Sequence, residues 1–515
     1  MQPAPAKKNL RALNGDETKL LVRQVIKIIE KLKDGTIKVV LSLLSQITGL
    51  IDLAARFVSR TVDHLLVGSL ELFNKKSPVL IHIPVLRAWG DAAEEVNFGI
   101  LKARREGKKI LFPCPHALSS TFPISVANRE LIRIDSDYCW LSSDSFWRYL
   151  VDSIFTAVLA TLRILYLVWR FNLRILRFRR PSYVPPAIRT ERAPQVRKAY
   201  PEFYVGRTTL WKPDQVDYFS WDVVRAFNWK QQLQQPVFVG LSPKKQRKAE
   251  QMRLDMGIPL DDWFVSLHVR EGHYEGRFSE KAQFYDASIQ NYLEAIRVIT
   301  SAGGWVVRLG DSTMTPLPPM ERVVDYPFTP QKSNLMDIYL IRECRTFMGM
   351  ASGPLEVSRI FQNSEIMVNL AEWSTAFPLR KGSLAILKHY FSRSRNRFLS
   401  VKEILEEPMF ECQALSQFGD DYILVENTPN EILDVVEEYL SQPTEHPHSD
   451  LQKEFNYQRT LQIHRGLALE IPPTIPEVIQ KYRYAARIES MEGTIGQKYL
   501  EQNWLTDSYN GYKPD

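Results

Sequence analysis

Three short apolar runs separated by helix-like segments constrain the fold of this chain more than any other feature. The runs span residues 263–270, 306–311 and 345–353, and each stops at a polar or glycine-rich edge. A segment with helical character lies between the first two runs (288–302), and another lies between the last two (335–344). Strands that alternate with helices are typical of βαβ units, so the pattern predicts a parallel sheet. In such sheets ligands bind beyond the carboxyl ends of the strands.

Polar residues stand at these predicted strand ends. His268 and Arg270 end the first run, Gly310-Asp311 ends the second, and Ser352-Gly353 ends the third. An arginine can fork onto phosphate oxygens and neutralise the charge of a leaving diphosphate. A Ser-Gly loop that leads into a helix can bind an anion through backbone N–H groups and the helix dipole. Together the three ends predict a pocket for a nucleotide diphosphate.

Each strand end also has a structural explanation. Arg270 could form an ion pair at a domain interface, Gly310-Asp311 could form a turn, and Ser352 could cap a helix. Because three such ends occur in one sheet, in chain order, they favour a nucleotide-diphosphate pocket more strongly than any one of them would alone.

Length and composition indicate a globular protein of more than one domain. The chain has 515 residues, 44% of them hydrophobic and 24% charged. The net charge of +7 favours a polyanionic partner or an anionic membrane surface. The lysine-rich segment 243–250 lacks interleaved aromatic residues, so it indicates a solvated helix face and no nucleic-acid partner.

Cysteine usage and the first residues bear on the compartment. The four cysteines have no paired spacing, which indicates neither a disulfide framework nor a zinc site and favours a reducing cytosol. Residues 1–16 are polar and lack the apolar core of a signal peptide.

The region before residue 77 has the periodicity of helices, at 19–33 and 37–73. Residues 39–51 carry no charge but are too few to span a bilayer, which needs roughly 20 residues. Two interpretations stay open: a buried core or oligomer helix, and a helix that lies in the membrane interface.

A smaller α/β segment follows. Residues 79–83, 109–112 and 131–134 are predicted strands, with a helix that ends near residue 106 between the first two. The first loop contains Asp91, which a turn or a helix cap explains nearly as well as a functional site.

Residues 145–180 are predicted to form one long helix, because no Gly or Pro interrupts them. At about 100° per residue its arginines gather on one side and its apolar residues cover the rest. A transmembrane span is disfavoured, since Asp152 and Arg163 would each cost about 2.5–3.5 kcal/mol at mid-bilayer. The pattern is typical of an interfacial anchor, and the alternative is a helix packed on the protein with its arginines in water. The predicted membrane-contact residues are Arg148, Arg163, Trp169, Arg170, Arg174 and Arg177.

The central stretch resembles the nucleotide-sugar domain of GT-B glycosyltransferases of the fucosyltransferase superfamily, which share an HxR motif. His268-Val269-Arg270 matches that motif, and segments 284–293, 308–311 and 335–353 are similar to the pieces that follow it. The layout is nearest to α1,6-fucosyltransferases and protein O-fucosyltransferases, and it also looks like a bacterial group of glycosyltransferases.

The resemblance implies roles for individual residues. Arg270 would hold the β-phosphate of a nucleotide sugar, Ser352 with Gly353 would bind phosphates, Asp311 would contact the nucleoside, and Asp337 would support the base side. His268 and Gly310 complete the implied binding set. Such enzymes invert the anomeric centre without a metal or another cofactor, since arginine stabilises the developing charge.

The general base stays open, and one departure from the family weakens the assignment of GDP-fucose as donor. Family members often carry further basic residues after HxR, whereas Glu271-Gly272-His273 follows here. Glu271, His273, Glu275 or Asp91 could each accept the proton of an acceptor hydroxyl.

The expected fold is α/β and GT-B-like, with two Rossmann-like domains facing a cleft and added amphipathic helices. The predicted parts are 1–77 (helical), 78–238 (acceptor domain), 239–415 (nucleotide-sugar domain) and 416–515 (C-terminal helices and tail).

The expected function is transfer of a sugar, with a GDP-sugar favoured, to a cell-envelope or lipid-linked glycan acceptor. The protein would lie in the cytoplasm, peripherally on the inner face of the cytoplasmic membrane, and a homo-oligomer stays open. The alternatives are a catalytically inactive membrane scaffold and another nucleotide-sugar enzyme such as an epimerase.

Overall fold

The computed structural model describes residues 73–82, 84, 89–116, 126–158, 160–161, 239–271, 285–371, 373, 377–406, 421–441, 447–470, 492–507 and 509. All of these except Thr161 belong to one compact unit. The helix predicted at 19–33 lies outside the described residues, as do nearly all of 37–73 and all of 162–180.

The first part of the described chain forms the small α/β segment predicted from the sequence. Strands β1 (Val79–Ile81) and β2 (Lys109–Leu111) pair in parallel, and helix α1 (Trp89–Glu106) connects them. Gly99 lies against β2, because a Cβ at this position would come within 2.7 Å of the Ile110 side chain. Gly99 therefore allows helix α1 to pack closely against strand β2.

The strand predicted at 131–134 is wrong. Helix α2 (Arg129–Ile132) contains the first two residues of this stretch, because the Asn128 side chain accepts hydrogen bonds from the N–H groups of Glu130 and Leu131 and caps the helix. Strand β3 (Asp135–Ser136) follows and pairs antiparallel with β4 (Val239–Gly240).

The described residues 146–158 are helical, as predicted, but the side of this helix that carries Arg148 faces the protein. The Arg148 guanidinium is buried and donates to Asp152 Oδ1 at 3.2 Å and to the carbonyl oxygens of Phe112 and Ile132. The prediction that Arg148 contacts a membrane is therefore wrong. Arg163, Trp169, Arg170, Arg174 and Arg177 lie outside the described residues.

Seven parallel strands form the central sheet, in the order β14-β10-β9-β8-β5-β6-β7. All five residues of β5 are buried, as expected for a strand whose two faces are both covered by helices. The elements from the start of this body to β9 are α3 (Pro243–Asp255), β5 (Phe264–His268), α4 (Leu293–Ser301), β6 (Trp305–Arg308), β7 (Val323–Asp325), α5 (Asn334–Glu343), β8 (Thr346–Gly349), α6 (Gly353–Ile360) and β9 (Ser364–Leu370).

The order of these strands reverses once, next to β5. The chain moves from β5 outward through β6 and β7, and then crosses to the opposite side of β5 to form β8, β9 and β10. The reversal lies between β5 and β8.

The remaining elements complete the same body. They are β10 (Leu384–Leu387), β11 (His389–Ser392), β12 (Arg397–Phe398), α7 (Val401–Glu406), β13 (Tyr422–Val425), α8 (Pro429–Ser441), α9 (Asp450–Glu470), β14 (Thr494–Ile495) and α10 (Gln497–Asn503). Strand β14, which lies in the predicted C-terminal part 416–515, is an edge strand of the central sheet and pairs in parallel with β10.

Helix α7 begins at Val401, directly after Ser400. Ser400 Oγ accepts from the Glu403 N–H at 3.2 Å, and the Glu403 carboxylate accepts from the Ser400 N–H at 3.0 Å. This reciprocal pair is a capping box, which starts the helix.

Two features are absent from the described residues. No described helix combines the length and apolar character needed to cross a membrane. No group of His, Cys, Asp and Glu side chains within the described ranges is arranged to hold a metal ion.

Candidate functional site

The candidate site lies where the strand order reverses, at the carboxyl ends of β5 and β8. His268 ends β5 and stands opposite Gly349, which ends β8. A Cβ at position 349 would come within 2.6 Å of the His268 carbonyl oxygen, so only glycine permits this close pairing. Open α/β sheets bind ligands in the crevice at such a reversal.

His268 is a buried histidine with unused hydrogen-bonding capacity. Its residue is 8% exposed, and Nδ1 has no hydrogen-bond partner among the described residues. Burial, reinforced by the positive charges of Arg270 and Arg308, lowers the pKa of His268 to about 4. The imidazole is therefore neutral at neutral pH, and Nδ1 can donate or accept a hydrogen bond from a ligand.

Arg270 is oriented by its neighbours but remains open to solvent. Its backbone N–H donates to Met350 Sδ at 3.4 Å, and its carbonyl accepts from the Ala287 N–H at 2.9 Å. The guanidinium lies over the Tyr285 ring, 5.2 Å from the centroid, with Nε 3.5 Å from Asp286 Oδ1. Since 37% of the side chain is exposed, the guanidinium can still bind an anion in a forked geometry.

Glu271 is held in an ion pair. Arg308, at the end of β6, is fully buried and donates to Glu271 Oε1 at 3.3 Å and to Asp325 Oδ1 at 3.2 Å. Glu271 Oε2 accepts from the Thr315 N–H at 2.7 Å. Both Glu271 oxygens are thus occupied, which fixes the segment after β5 to the loop after β6.

Sequence reasoning did not assign a role to Arg308. The signal was an arginine that ends an apolar strand and is followed by an aspartate in the turn. Its full burial beside His268 adds positive charge under the candidate site.

The turn after β6 contains Gly310 and Asp311. Gly310 has φ +150°, and a Cβ there would meet Met314 Sδ at 2.1 Å. Asp311 Oδ1 accepts from the Thr313 N–H at 2.8 Å and from Thr313 Oγ1 at 2.5 Å. Gly310 therefore makes room for Met314, and one Asp311 oxygen stabilises the turn.

The loop between β8 and α6 places Ser352 and Gly353. Ser352 stands at the N-cap of α6 but makes no capping hydrogen bond, and its buried Oγ has no partner within the described ranges. A Cβ at Gly353 would meet Trp89 Cβ at 2.7 Å, so Gly353 allows α1 to pack against the start of α6. The Ser352 hydroxyl, like His268 Nδ1, is available to a ligand.

Asp337 lies in the first turn of α5 and is buried. Burial raises the pKa of its carboxyl group, and the ion pair with Lys332 opposes that rise. Lys332 lies 4.7 Å from the centroid of the Tyr326 ring and also contributes positive charge at His268. Asp337 therefore positions a lysine close to the candidate site.

The other predicted catalytic residues are not placed. Asp91 lies in the first turn of α1, and its side chain is outside the described atoms. His273 and Glu275 lie outside the described residues.

Comparisons with known proteins identify no family for this chain. No family model matches the sequence, and neither does any curated protein. Among solved structures, the chain is similar to the glycosyl transferase family 9 protein from Veillonella parvula, with 10% identity over 56% of this chain and 79% of that chain and a TM-score of 0.25. A likeness this distant supports no conclusion about the reaction.

Proposed function

We propose that the protein is a glycosyltransferase whose nucleotide-sugar donor binds with its diphosphate at the ends of β5 and β8. The observation that carries the proposal is the combination, at the sheet's reversal, of an open Arg270 with a buried, neutral His268 that has an unused ring nitrogen. The HxR resemblance favours a GDP-sugar as donor. A cell-envelope or lipid-linked glycan is the proposed acceptor.

The proposed reaction displaces the nucleoside diphosphate with inversion and without a metal. An acceptor hydroxyl oxygen bonds to the anomeric carbon, the bond from that carbon to the diphosphate oxygen breaks, and the hydroxyl proton passes to a base. Arg270 neutralises the charge that develops on the leaving diphosphate, and His268 and Ser352 donate hydrogen bonds to its oxygens. The buried charge of Arg308 strengthens the positive potential at this edge.

The base is proposed among the acidic and imidazole groups near the motif and on α1. Glu271 fits a positioning role better than that of a base, because Arg308 and Thr315 occupy both of its oxygens. His273, Glu275 and Asp91 remain the proposed bases.

We further propose that the enzyme acts from the cytoplasm, peripherally on the inner face of the cytoplasmic membrane. The net charge of +7 and the apolar, arginine-rich sequence of 145–180 support this location.

A thermal-shift screen of the full chain with nucleotides and nucleotide sugars tests the donor site. A ligand at 100 times its Kd stabilises the fold by about 2.7 kcal/mol. We expect one nucleotide family to stabilise the wild type, and we expect Arg270→Ala to weaken its binding roughly 10- to 100-fold through loss of a charged hydrogen bond.

Arg345→Ala provides a matched control. Arg345 directly precedes the amino end of β8, away from the carboxyl ends of the strands, and also lies over an aromatic ring, 4.6 Å from the centroid of Trp263. It should leave nucleotide binding unchanged. The donor-site proposal fails if no nucleotide stabilises the wild type, or if Arg270→Ala responds as the wild type does.

Product analysis then distinguishes the reaction classes. Free nucleotide together with a glycosylated acceptor supports transfer, and an altered sugar nucleotide identifies an epimerase instead. Binding without any turnover in the presence of envelope glycans would identify the inactive scaffold.

A further inference from the structure

The helix at 146–158 has its apolar side turned to solvent. Five large apolar side chains form this outer face, and they are between 39% and 70% exposed. At about 100° per residue they fall within an arc of roughly 120°. The other residues in that arc are Ala157 and Thr161, so the face carries no charge. The outer face consists of Phe146, Trp147, Leu150, Ile154 and Val158.

The opposite side of the helix is polar and anchored. Asp152 is buried and accepts from Arg148 Nε at 3.2 Å, from Arg133 Nε at 2.9 Å and from the Cys114 N–H at 2.9 Å. Thr156 Oγ1 accepts from the His116 N–H at 2.7 Å. These bonds fix the rotation of the helix, so the outward direction of the apolar face is set by a buried ionic cluster.

This arrangement reverses that of an ordinary surface helix, which buries its apolar stripe and exposes its charges. Contiguous exposed apolar patches mark sites of interaction with a partner or a membrane. The outer face is a patch of this kind.

The chemistry around the outer face favours a lipid bilayer. Two further aromatic residues are exposed: Trp140, which precedes the helix in sequence, is 50% exposed, and Tyr149, on the helix itself, is 62% exposed. Trp and Tyr are enriched where membranes meet water. The sequence that follows, residues 162–180, contains Arg163, Arg170, Arg174, Arg177, Arg179 and Arg180 and no acidic residue.

The same charges disfavour a second copy of the chain as the occupant. The chain carries a net charge of +7, and like charges oppose the association of two copies. Anionic lipid headgroups complement them instead.

We infer that the outer face is the membrane-docking surface, with its apolar side chains inserted at the boundary of headgroups and acyl chains of an anionic bilayer. This inference rests on the proposed membrane location and moves the contact from the Arg148 side to the opposite side of the helix. It does not depend on the donor site.

Co-sedimentation of the full chain with phosphatidylcholine vesicles that contain phosphatidylglycerol tests the inference. The variant Trp147→Glu with Ile154→Glu replaces two outer-face residues that are 64% and 58% exposed. The control, Tyr457→Glu with Leu505→Glu, replaces two apolar residues elsewhere that are 59% and 71% exposed. We expect the outer-face variant to lose vesicle affinity roughly tenfold or more, and the control to bind as the wild type does.

Three outcomes would overturn the inference. These are a wild type that does not bind the vesicles, an outer-face variant that binds them as well as the control, and a wild type that is dimeric without lipid while the outer-face variant is monomeric. All substituted residues are exposed, so equal thermal unfolding of the three proteins confirms that the fold is retained. The thermal shift that nucleotides produce in the same variants shows whether the proposed donor site binds its ligand independently of the membrane contact.

Discussion

Two buried histidines in this protein have opposite protonation states. His389, at the start of β11, places Nε2 2.9 Å from Glu431 Oε2 and Nδ1 2.7 Å from Asp507 Oδ2. Burial alone would lower its pKa, but the hydrogen bonds with the two carboxylates outweigh burial and raise the pKa to about 9. At His268 burial and nearby arginines act in the same direction and lower the pKa to about 4. Burial is similar at the two sites, so the neighbours decide the charge.

The two histidines also differ in the hydrogen bonds of their ring nitrogens. At His389 both ring nitrogens are hydrogen-bonded, and the histidine ties β11 to α8 and to the segment after α10. At His268 a buried ring nitrogen lacks a partner among the described residues. Buried polar groups in proteins are almost always hydrogen-bonded, so the unpaired nitrogen of His268 supports the proposed donor site, where a ligand would supply the missing partner.

The largest expected effect on stability comes from removing the charged histidine. His389→Ala leaves two buried carboxylates without their cation, and breaking a buried ion pair costs about 3–5 kcal/mol. We expect a loss of this size in urea unfolding at pH 7. His268→Ala serves as the reference and should cost clearly less, while abolishing the stabilisation by nucleotide. Equal losses in the two variants would contradict the comparison.

The pH dependence of stability should show both histidines with opposite signs. The folded-state pKa of His389 lies above its unfolded value of 6.5, so its contribution is complete below pH 6.5 and is lost as the pH rises through about 9. At about 1.4 kcal/mol per unit, this loss is about 3 kcal/mol.

The folded-state pKa of His268 lies below 6.5, so its contribution is complete above pH 6.5 and is lost as the pH falls toward about 4. Unfolding free energies measured from pH 4 to pH 9.5 check both signs. His389→Ala should flatten the alkaline side of the profile, and His268→Ala should flatten part of the acidic side. If His389→Ala leaves the alkaline side of the profile unchanged, the imidazole of His389 is not charged between Glu431 and Asp507.

A smaller effect is expected from Gly349→Ala, which tests the backbone of the candidate site. The added methyl would come within 2.6 Å of the His268 carbonyl oxygen and push β5 and β8 apart at their ends. Overpacking of this kind costs about 1–3 kcal/mol, measured by thermal or urea unfolding. Nucleotide binding should weaken as well.

Gly90→Ala is the control for this substitution. A Cβ there meets its nearest neighbour at 3.5 Å, an ordinary contact, so its stability should be unchanged or slightly raised. Normal nucleotide binding by Gly349→Ala would show that the nucleotide does not bind at the carboxyl ends of β5 and β8.

The sequence predicted the central elements well, because apolar runs bounded by glycine and polar residues mark buried strands. It did not reveal that β8 returns to the side of β5 opposite β6, since pairing order depends on contacts distant in sequence. The two-residue strand β14 was missed because it is too short to show any periodicity.

Arg148 shows a second limit of sequence reasoning. A helical wheel groups residues on one side, but it cannot say which side meets the protein. Here the answer depends on Arg133 and on carbonyl oxygens from other segments, which together with Asp152 form a buried cluster. Similarly, Glu271 resembled a catalytic base until its partners Arg308 and Thr315 were known.

The late edge strand has a consequence for synthesis of the protein. Leu384 of β10 pairs with Thr494 of β14, so this edge of the sheet stays open until nearly the whole of the described chain has left the ribosome. Unpaired strand edges recruit other chains, and contacts distant in sequence form slowly. The central sheet can therefore be completed only after residues 494 and 495 have been synthesised, and until then the β10 edge can pair with another nascent chain.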